Sequence, residues 1–227
     1  MSGPDPMPVI MRLYEDVLSN AAVPVALPAL PRLIFIVHGT ATIEGQVTSD
    51  GEAWHGEGAA TVIPGSDGAT CWRFELAPAD AADGGIVGNG VSSRQKLVAC
   101  AETLPAGDLL LRGDSVAFPP GGCAFLHRHQ GPGIRCLIDG GIRIDTHGAS
   151  TSYGPGGAWY ESGPEPVFAQ GAPDRATRFI RMMILPRALL GKSSIEYLNA
   201  DDTARPKSQS YKGFADVPIR FRAATTA

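Results

Sequence analysis

The feature that most constrains this chain is its punctuation. From Leu33 onward, apolar segments of strand length, among them LIFIV, CWRFEL, KLVAC, CAFLH, RCLI and FIRMMIL, alternate with clusters of Gly, Pro, Asp and Ser. Such clusters interrupt helices and make tight turns, while short runs rich in β-branched and aromatic residues form strands. The chain has 28 Gly and 19 Pro spread between these runs over 227 residues, which predicts an all-β barrel or sandwich of many short strands. One stretch departs from the pattern. Residues 8–20, PVIMRLYEDVLSN, place Ile10, Leu13, Tyr14, Val17 and Leu18 at helical spacing and predict a short amphipathic helix in an N-terminal arm.

Composition excludes several partners. The hydrophobic share of 44% and charged share of 19% are those of a chain that folds by itself. A net charge of −4 without a basic stripe gives no electrostatic footprint for nucleic acid. No apolar run approaches the roughly 20 residues needed to span a bilayer, and the N-terminus shows no signal-type core, so no membrane partner and a cytoplasmic location are expected. Cys71, Cys100, Cys123 and Cys136 form no C-x-x-C pair and are expected to be buried, reduced thiols.

A weak internal repeat organises the chain. IVHGTATIEGQVTSDGEAWHGEG resembles LIDGGIRIDTHGASTSYGPGGAWYESG, aligning Gly39 with Gly140 and Trp54 with Trp159. The expected divisions are an arm at 1–31, an incomplete first half forming an extra sheet at 32–107, a barrel core at 108–187 and a C-terminal extension at 188–227. Tyr197, Tyr211 and Phe214 stand out in that otherwise polar extension. They need cover, either from the chain's own barrel or from a second copy in a homodimer.

The segment FPPGGCAFLHRHQGPGIRCLIDGG, Phe118 to Gly141, carries the chemistry. On a strand, Phe125, His127 and His129 share one face, so both imidazoles would enter the barrel side by side. Two imidazoles one residue apart can chelate a cation; hydrogen-bonded core histidines are the plainer alternative. Gln130, Tyr160 and His55 are lesser candidates, while His38 and His147 fall at glycine turns where exposure is the default.

These residues resemble the cupin superfamily, whose first motif runs from a glycine through His-x-His and a glutamate to a closing glycine. Gly121, His127, His129 and Gly140 match it, and Gly133 stands where the glutamate belongs. The second motif is similar to GPGGAWYESGPEPVFAQ, with Val167 in the place of its histidine. The resemblance implies a double-stranded β-helix, or jelly-roll, barrel with an extra N-terminal sheet, and a divalent metal as cofactor. Glu161 keeps the parity of Val167 and is the candidate replacement carboxylate, giving His127, His129 and Glu161 as metal ligands.

Two imidazoles and a carboxylate suit Fe(II) oxygenases, a tetrahedral version suits Zn, and Mn or Ni are further options. Arg135, two residues past Gly133, either orients an acidic or carbonyl-bearing small-molecule substrate or forms an internal ion pair with Glu161 or Asp139. Among cupins the resemblance implies mostly non-haem dioxygenases, with isomerases, lyases and decarboxylases besides. A non-catalytic module binding a small molecule in the same cavity is the reading from a different class.

Overall fold

The computed structural model describes residues 8–102 and 104–221, and most of these lie in strands. The chain divides into two units. One holds the chain up to Glu102 and again from Ile219, and the other holds the chain between them. Residues 1–7 of the expected arm and 222–227 of the expected extension lie outside the described residues.

The first unit contains β1 (Val9–Leu18), β2 (Val25–Leu27), β3 (Arg32–Ile43), β4 (Gln46–Ser49), β5 (Ala53–Gly56), β6 (Ala60–Pro78) and β7 (Val91–Ala101). They make one sheet in the order β4-β3-β6-β1-β7, with β2 added to β6 and β5 to β3. The segment expected to be an N-terminal helix is instead strand β1, paired along its whole length with β6 on one side and β7 on the other. A central strand buried on both faces has apolar residues in both alternating sets. Arg12 and Asp16, four apart, therefore imitate the polar face of a helix. In the strand they share a face and are both buried.

That face is built around buried charges. Cross-strand pairing sets Arg12 and Arg32 on either side of Glu75, and Arg73 lies in the next row between Tyr14 and Ile34. Glu75 Oε2 takes Arg12 Nε at 2.8 Å, and its Oε1 takes Arg32 Nε at 3.2 Å and Arg73 Nη1 at 2.8 Å. Arg73 also pairs with Asp16 at 2.7 Å and lies over the Tyr14 ring. Burial alone would push the Glu75 carboxyl up, but the guanidiniums of Arg73, Arg32 and Arg12 hold it below its ordinary value.

The second unit contains β8 (Leu109–Phe118), β9 (Cys123–His129), β10 (Gly133–Asp139), β11 (Ile142–Thr146), β12 (Ala149–Tyr153), β13 (Ala158–Glu161), β14 (Val167–Gly171), β15 (Thr177–Pro186), β16 (Ile195–Tyr197), one short helix, α1 (Ala200–Ala204), and β17 (Ser210–Ile219). Two five-stranded sheets form, β13-β10-β15-β8-β17 and β12-β11-β14-β9-β16. Val116, Leu137 and Phe179 of one pack against Ile142, Ile144, Val167 and Ala169 of the other, so the sheets face each other as a jelly roll. The extension lies on its own barrel, β16 against β9 and β17 against β8.

Among the described residues no helix is long and apolar enough to cross a membrane. None of the four cysteines is in a disulfide; Cys71 and Cys136 are buried as expected, but Cys123 is only partly covered and Cys100 is exposed. Cys100 lies on β7, which pairs only through β1.

Glu75→Gln should destabilise the first unit by about 3 kcal/mol, because it leaves buried guanidiniums without their shared counter-charge. Replacing Asp174, whose pair with Arg175 is exposed on both sides, should change stability by less than about 1 kcal/mol. Urea unfolding of both variants measures the contrast, and equal effects would refute it.

Candidate metal centre

His127 and His129 lie near the end of β9, and both are buried inside the second unit. Their partner strand β14 sets Val167 opposite His127 but Ala169 opposite Ala124, so a bulge lies between the two pairs. The bulge corrects the simple alternation. Ala124, not Phe125, joins the core with the histidines, and Phe125 lies under the Arg205 guanidinium at 3.9 Å.

Glu161 reaches the histidines from the facing sheet. It ends β13, where it pairs across the ladder with Gly133, the position left without a carboxylate in the sequence motif. The carboxylate therefore stands one strand over in the same row. The glycine makes room for its neighbour, since a Cβ at 133 would stand 2.9 Å from Arg135 Nη1 and 2.8 Å from the Met182 carbonyl oxygen. The turn after Glu161 is held by Gly163, whose φ of +105° and 2.5 Å approach of a built Cβ to the Gly131 carbonyl admit only glycine. The Gly163 carbonyl accepts the His129 backbone N–H at 2.8 Å, tying this turn to the histidine strand.

Ligand atoms of His127, His129 and Glu161 lie within 4.8 Å of one another. His127 Nδ1 meets the Phe125 carbonyl at 2.7 Å, and His129 Nδ1 meets the Ser194 carbonyl at 3.3 Å. A carbonyl only accepts, so His127 Nδ1 carries the proton and its Nε2 keeps its lone pair, while His129 Nδ1 also meets the Ser194 hydroxyl at 3.3 Å, which can donate or accept. His129 Nε2 is 3.9 Å from Glu161 Oε2. Outer bonds of this kind fix the tautomer that a metal ligand needs. Burial holds both imidazoles below their ordinary pKa; Arg135 and Arg181 add to this at His129, which is held well below. Neutral imidazoles and a carboxylate are a donor set able to take a divalent cation.

Arg135 competes for the same carboxylate. Its Nη2 is 2.6 Å from Glu161 Oε2, while Trp159 Nε1 donates to Oε1 at 2.9 Å. Arg135 Nη1 donates to the Gly133 carbonyl at 2.7 Å, and burial pushes its pKa down to about 10. The Nη2 contact lacks hydrogen-bond alignment, so a donor there stays open to another acceptor. Across the ladder from Arg135 stands Arg181, closed by Asp114 through bonds of 2.6 and 2.9 Å. The sequence reading missed this pair. Its signal was charge inside two apolar strands, Arg181 in FIRMMIL and Asp114 in LLLRGDSVAF.

The remaining candidates separate from the site. Gln130 is exposed at a turn, Tyr160 alternates to the face opposite Glu161, and His55 lies on β5 in the first unit. His38 and His147 are exposed as expected, but only His147 is at a turn, His38 lying within β3.

Between the sheets the space beside the three ligands is about 20 Å³, enough for roughly one water-sized group and no organic molecule. A second cavity of about 500 Å³ shares Arg181, Ile195, Gln209 and Tyr211 with it. Tyr197 of β16 lies against His127 with ring centroids 6.4 Å apart, and the Arg181 guanidinium sits 5.6 Å from the Tyr211 ring centre. The extension thus forms part of the wall of the site. Neither tyrosine followed from strand period; the signal was an aromatic in a polar extension that had to cover something.

No protein-family model and no curated protein matches the chain. Solved structures do. A salicylate 1,2-dioxygenase from Pseudaminobacter salicylatoxidans superposes with a TM-score of 0.51 at 8% identity, over 76% of this chain and 70% of that one. A two-residue deletion variant of a Bacillus subtilis oxalate decarboxylase superposes with a TM-score of 0.52 at 11% identity, over 88% and 73%. At such identities the likeness is one of fold.

Both imidazoles have folded-state pKa values below the unfolded 6.5, so protons favour the unfolded chain. Stability of metal-free protein should be full above pH 6.5 and fall as the pH drops below it, by up to about 1.4 kcal/mol per pH unit for each imidazole. Melting temperatures between pH 8 and 5 would show this, with a shallower slope for His129→Gln. Equal slopes would contradict it.

Proposed function

We infer that this chain, which has the fold of the cupin superfamily, is a metal-dependent enzyme whose second unit acts on a small carbonyl- or carboxylate-bearing organic molecule, in the manner of a non-haem dioxygenase. The observation that carries the reading is the convergence of His127, His129 and Glu161 inside the barrel, with both Nδ1 atoms already bonded to carbonyls. His127 and His129 would hold the cation through Nε2 and Glu161 through Oε2. Two imidazoles, one carboxylate and open positions suit Fe(II), which when bound supplies the centre at which dioxygen and substrate react.

The chain's own residues set the substrate class. The cavity of about 500 Å³ is lined by Arg112, Arg181, Lys192 and Lys207, and only Asp114 and Asp216 oppose them there. Arg112 pairs with Asp216 and Arg181 with Asp114, while Lys207 meets carbonyl oxygens of Asp202, Thr203 and Arg205 and the Tyr197 ring. An excess of positive charge beside the centre favours an anionic substrate. Arg135, with an open Nη2 donor, lines only the inner space of about 20 Å³, so it would take the substrate's carboxylate in place of Glu161 only once Gln209 and Tyr211 move aside and Glu161 turns to the metal. The two fold relatives are described as acting on salicylate and oxalate, both carboxylates.

One observation favours a second reading. The 2.6 Å Arg135–Glu161 pair already neutralises the carboxylate, and a divalent cation would add two charges beside two buried guanidiniums. In that reading the barrel binds its small molecule without metal.

Anaerobic titration of the metal-stripped full chain with Fe(II) separates the two. About one ion per chain, lost in His127→Ala and His129→Ala and weakened at least 100-fold in Glu161→Gln, is expected for the metal enzyme. If no ion binds to the unaltered protein, or if Glu161→Gln lowers metal-free stability without touching metal affinity, the metal-free module stands instead.

A further inference from the structure

The first unit contains a cavity of about 540 Å³, well away in sequence from the histidine strand. Val25, Leu27, Leu30 and Ile86 line it, with Arg12 and Arg73 among the same walls. Its size is that of a pocket for a small organic ligand. Within the buried cluster beside it the charges do not cancel. Arg12, Arg32 and Arg73 are opposed in the buried cluster by Glu75 and Asp16 alone, which leaves one positive charge over. Asp83 also lines the cavity and its charge is felt by Arg12, but it is solvated and engaged by the Tyr14 hydroxyl at 2.7 Å and the Gly85 N–H at 3.2 Å.

Hydrogen bonding identifies which guanidinium carries the excess. Arg73 places Nε and Nη2 on Asp16, Nη1 on Glu75 and Nη2 also on the Gly84 carbonyl. Arg32 gives Nε to Glu75, Nη1 to Gly58 and Nη2 to Pro28. Arg12 gives Nε to Glu75 and Nη1 to the Ala82 carbonyl at 2.8 Å; among the described residues its Nη2 has no acceptor. A buried arginine facing a cavity with a free amino group and an unbalanced charge calls for an anion, and the apolar walls call for a hydrocarbon body behind it.

We propose that the first unit is a second binding site, independent of the histidine centre, for an amphipathic monocarboxylate whose head group pairs with Arg12 and whose chain fills the cavity between Leu27, Leu30 and Ile86.

Calorimetric titration of the full-length protein with octanoate tests this, with octanamide as its uncharged counterpart. About one octanoate per chain should bind, and octanamide at least tenfold more weakly, since a charge-assisted bond exceeds a neutral one by roughly 1.4 kcal/mol or more. Arg12→Gln should weaken octanoate at least tenfold; Glu75 keeps Arg32 and Arg73, so the fold should survive. Val23→Glu tests the same point without touching the cluster, because Val23 lines the cavity yet is 61% exposed. A carboxylate there should repel octanoate severalfold. Failure of octanoate to bind, equal binding of octanamide, or binding unchanged in Val23→Glu and in folded Arg12→Gln would each overturn the proposal. None of these outcomes bears on Fe(II) binding by the second unit.

Discussion

The contact between Arg135 and Glu161 governs how the second unit can work. It is buried, 2.6 Å long, and built from neighbouring strands whose register places Glu161 opposite Gly133. Glu161 cannot serve Arg135 and a cation through one oxygen equally well, so the two partners are rivals for it. Gly133 sustains the rivalry by leaving the space that the arginine occupies. A larger residue there would displace the guanidinium and free the carboxylate. Glycine at this point is thus part of the electrostatics of the site as well as of its packing.

Both units solve one problem in different ways. Arginines buried in a β-sheet must be neutralised, and the ladder supplies counter-charges by placing carboxylates directly across or in the next row. In the second unit the account closes at Arg181 with Asp114 and at Arg135 with Glu161. In the first it remains one carboxylate short around Glu75. The imbalance, more than the cavity, distinguishes the first unit from an inert half.

Much of the fold was legible because Gly and Pro clusters mark the ends of short strands whatever their tertiary partners. The exception was β1. Its two faces are both buried, so alternation gave no contrast, and nothing within the segment shows that Arg12 and Asp16 each have a partner more than 50 residues away. The histidine pair was legible from x-His-x-His spacing alone, but the orientation of Phe125 was not, because the bulge in β9 is set by pairing with β14. Glu161 could be nominated by parity within its own strand. That it also neutralises Arg135, and that Arg181, Asp114, Tyr197 and Tyr211 enclose the site, depends on cross-strand register and on the path of the extension.

The extension has a kinetic meaning. Tyr197 and Ser194 touch the histidines while Gln209 and Tyr211 stand between a space of about 20 Å³ and one of about 500 Å³. Exchange of ion, solvent or chelator with the inner space would quicken whenever β16 and the start of β17 lift from the barrel. Short edge strands open by local fluctuation far more often than a domain unfolds, so the exchange rate at the centre would be a clock that reads the local stability of β16 and the start of β17.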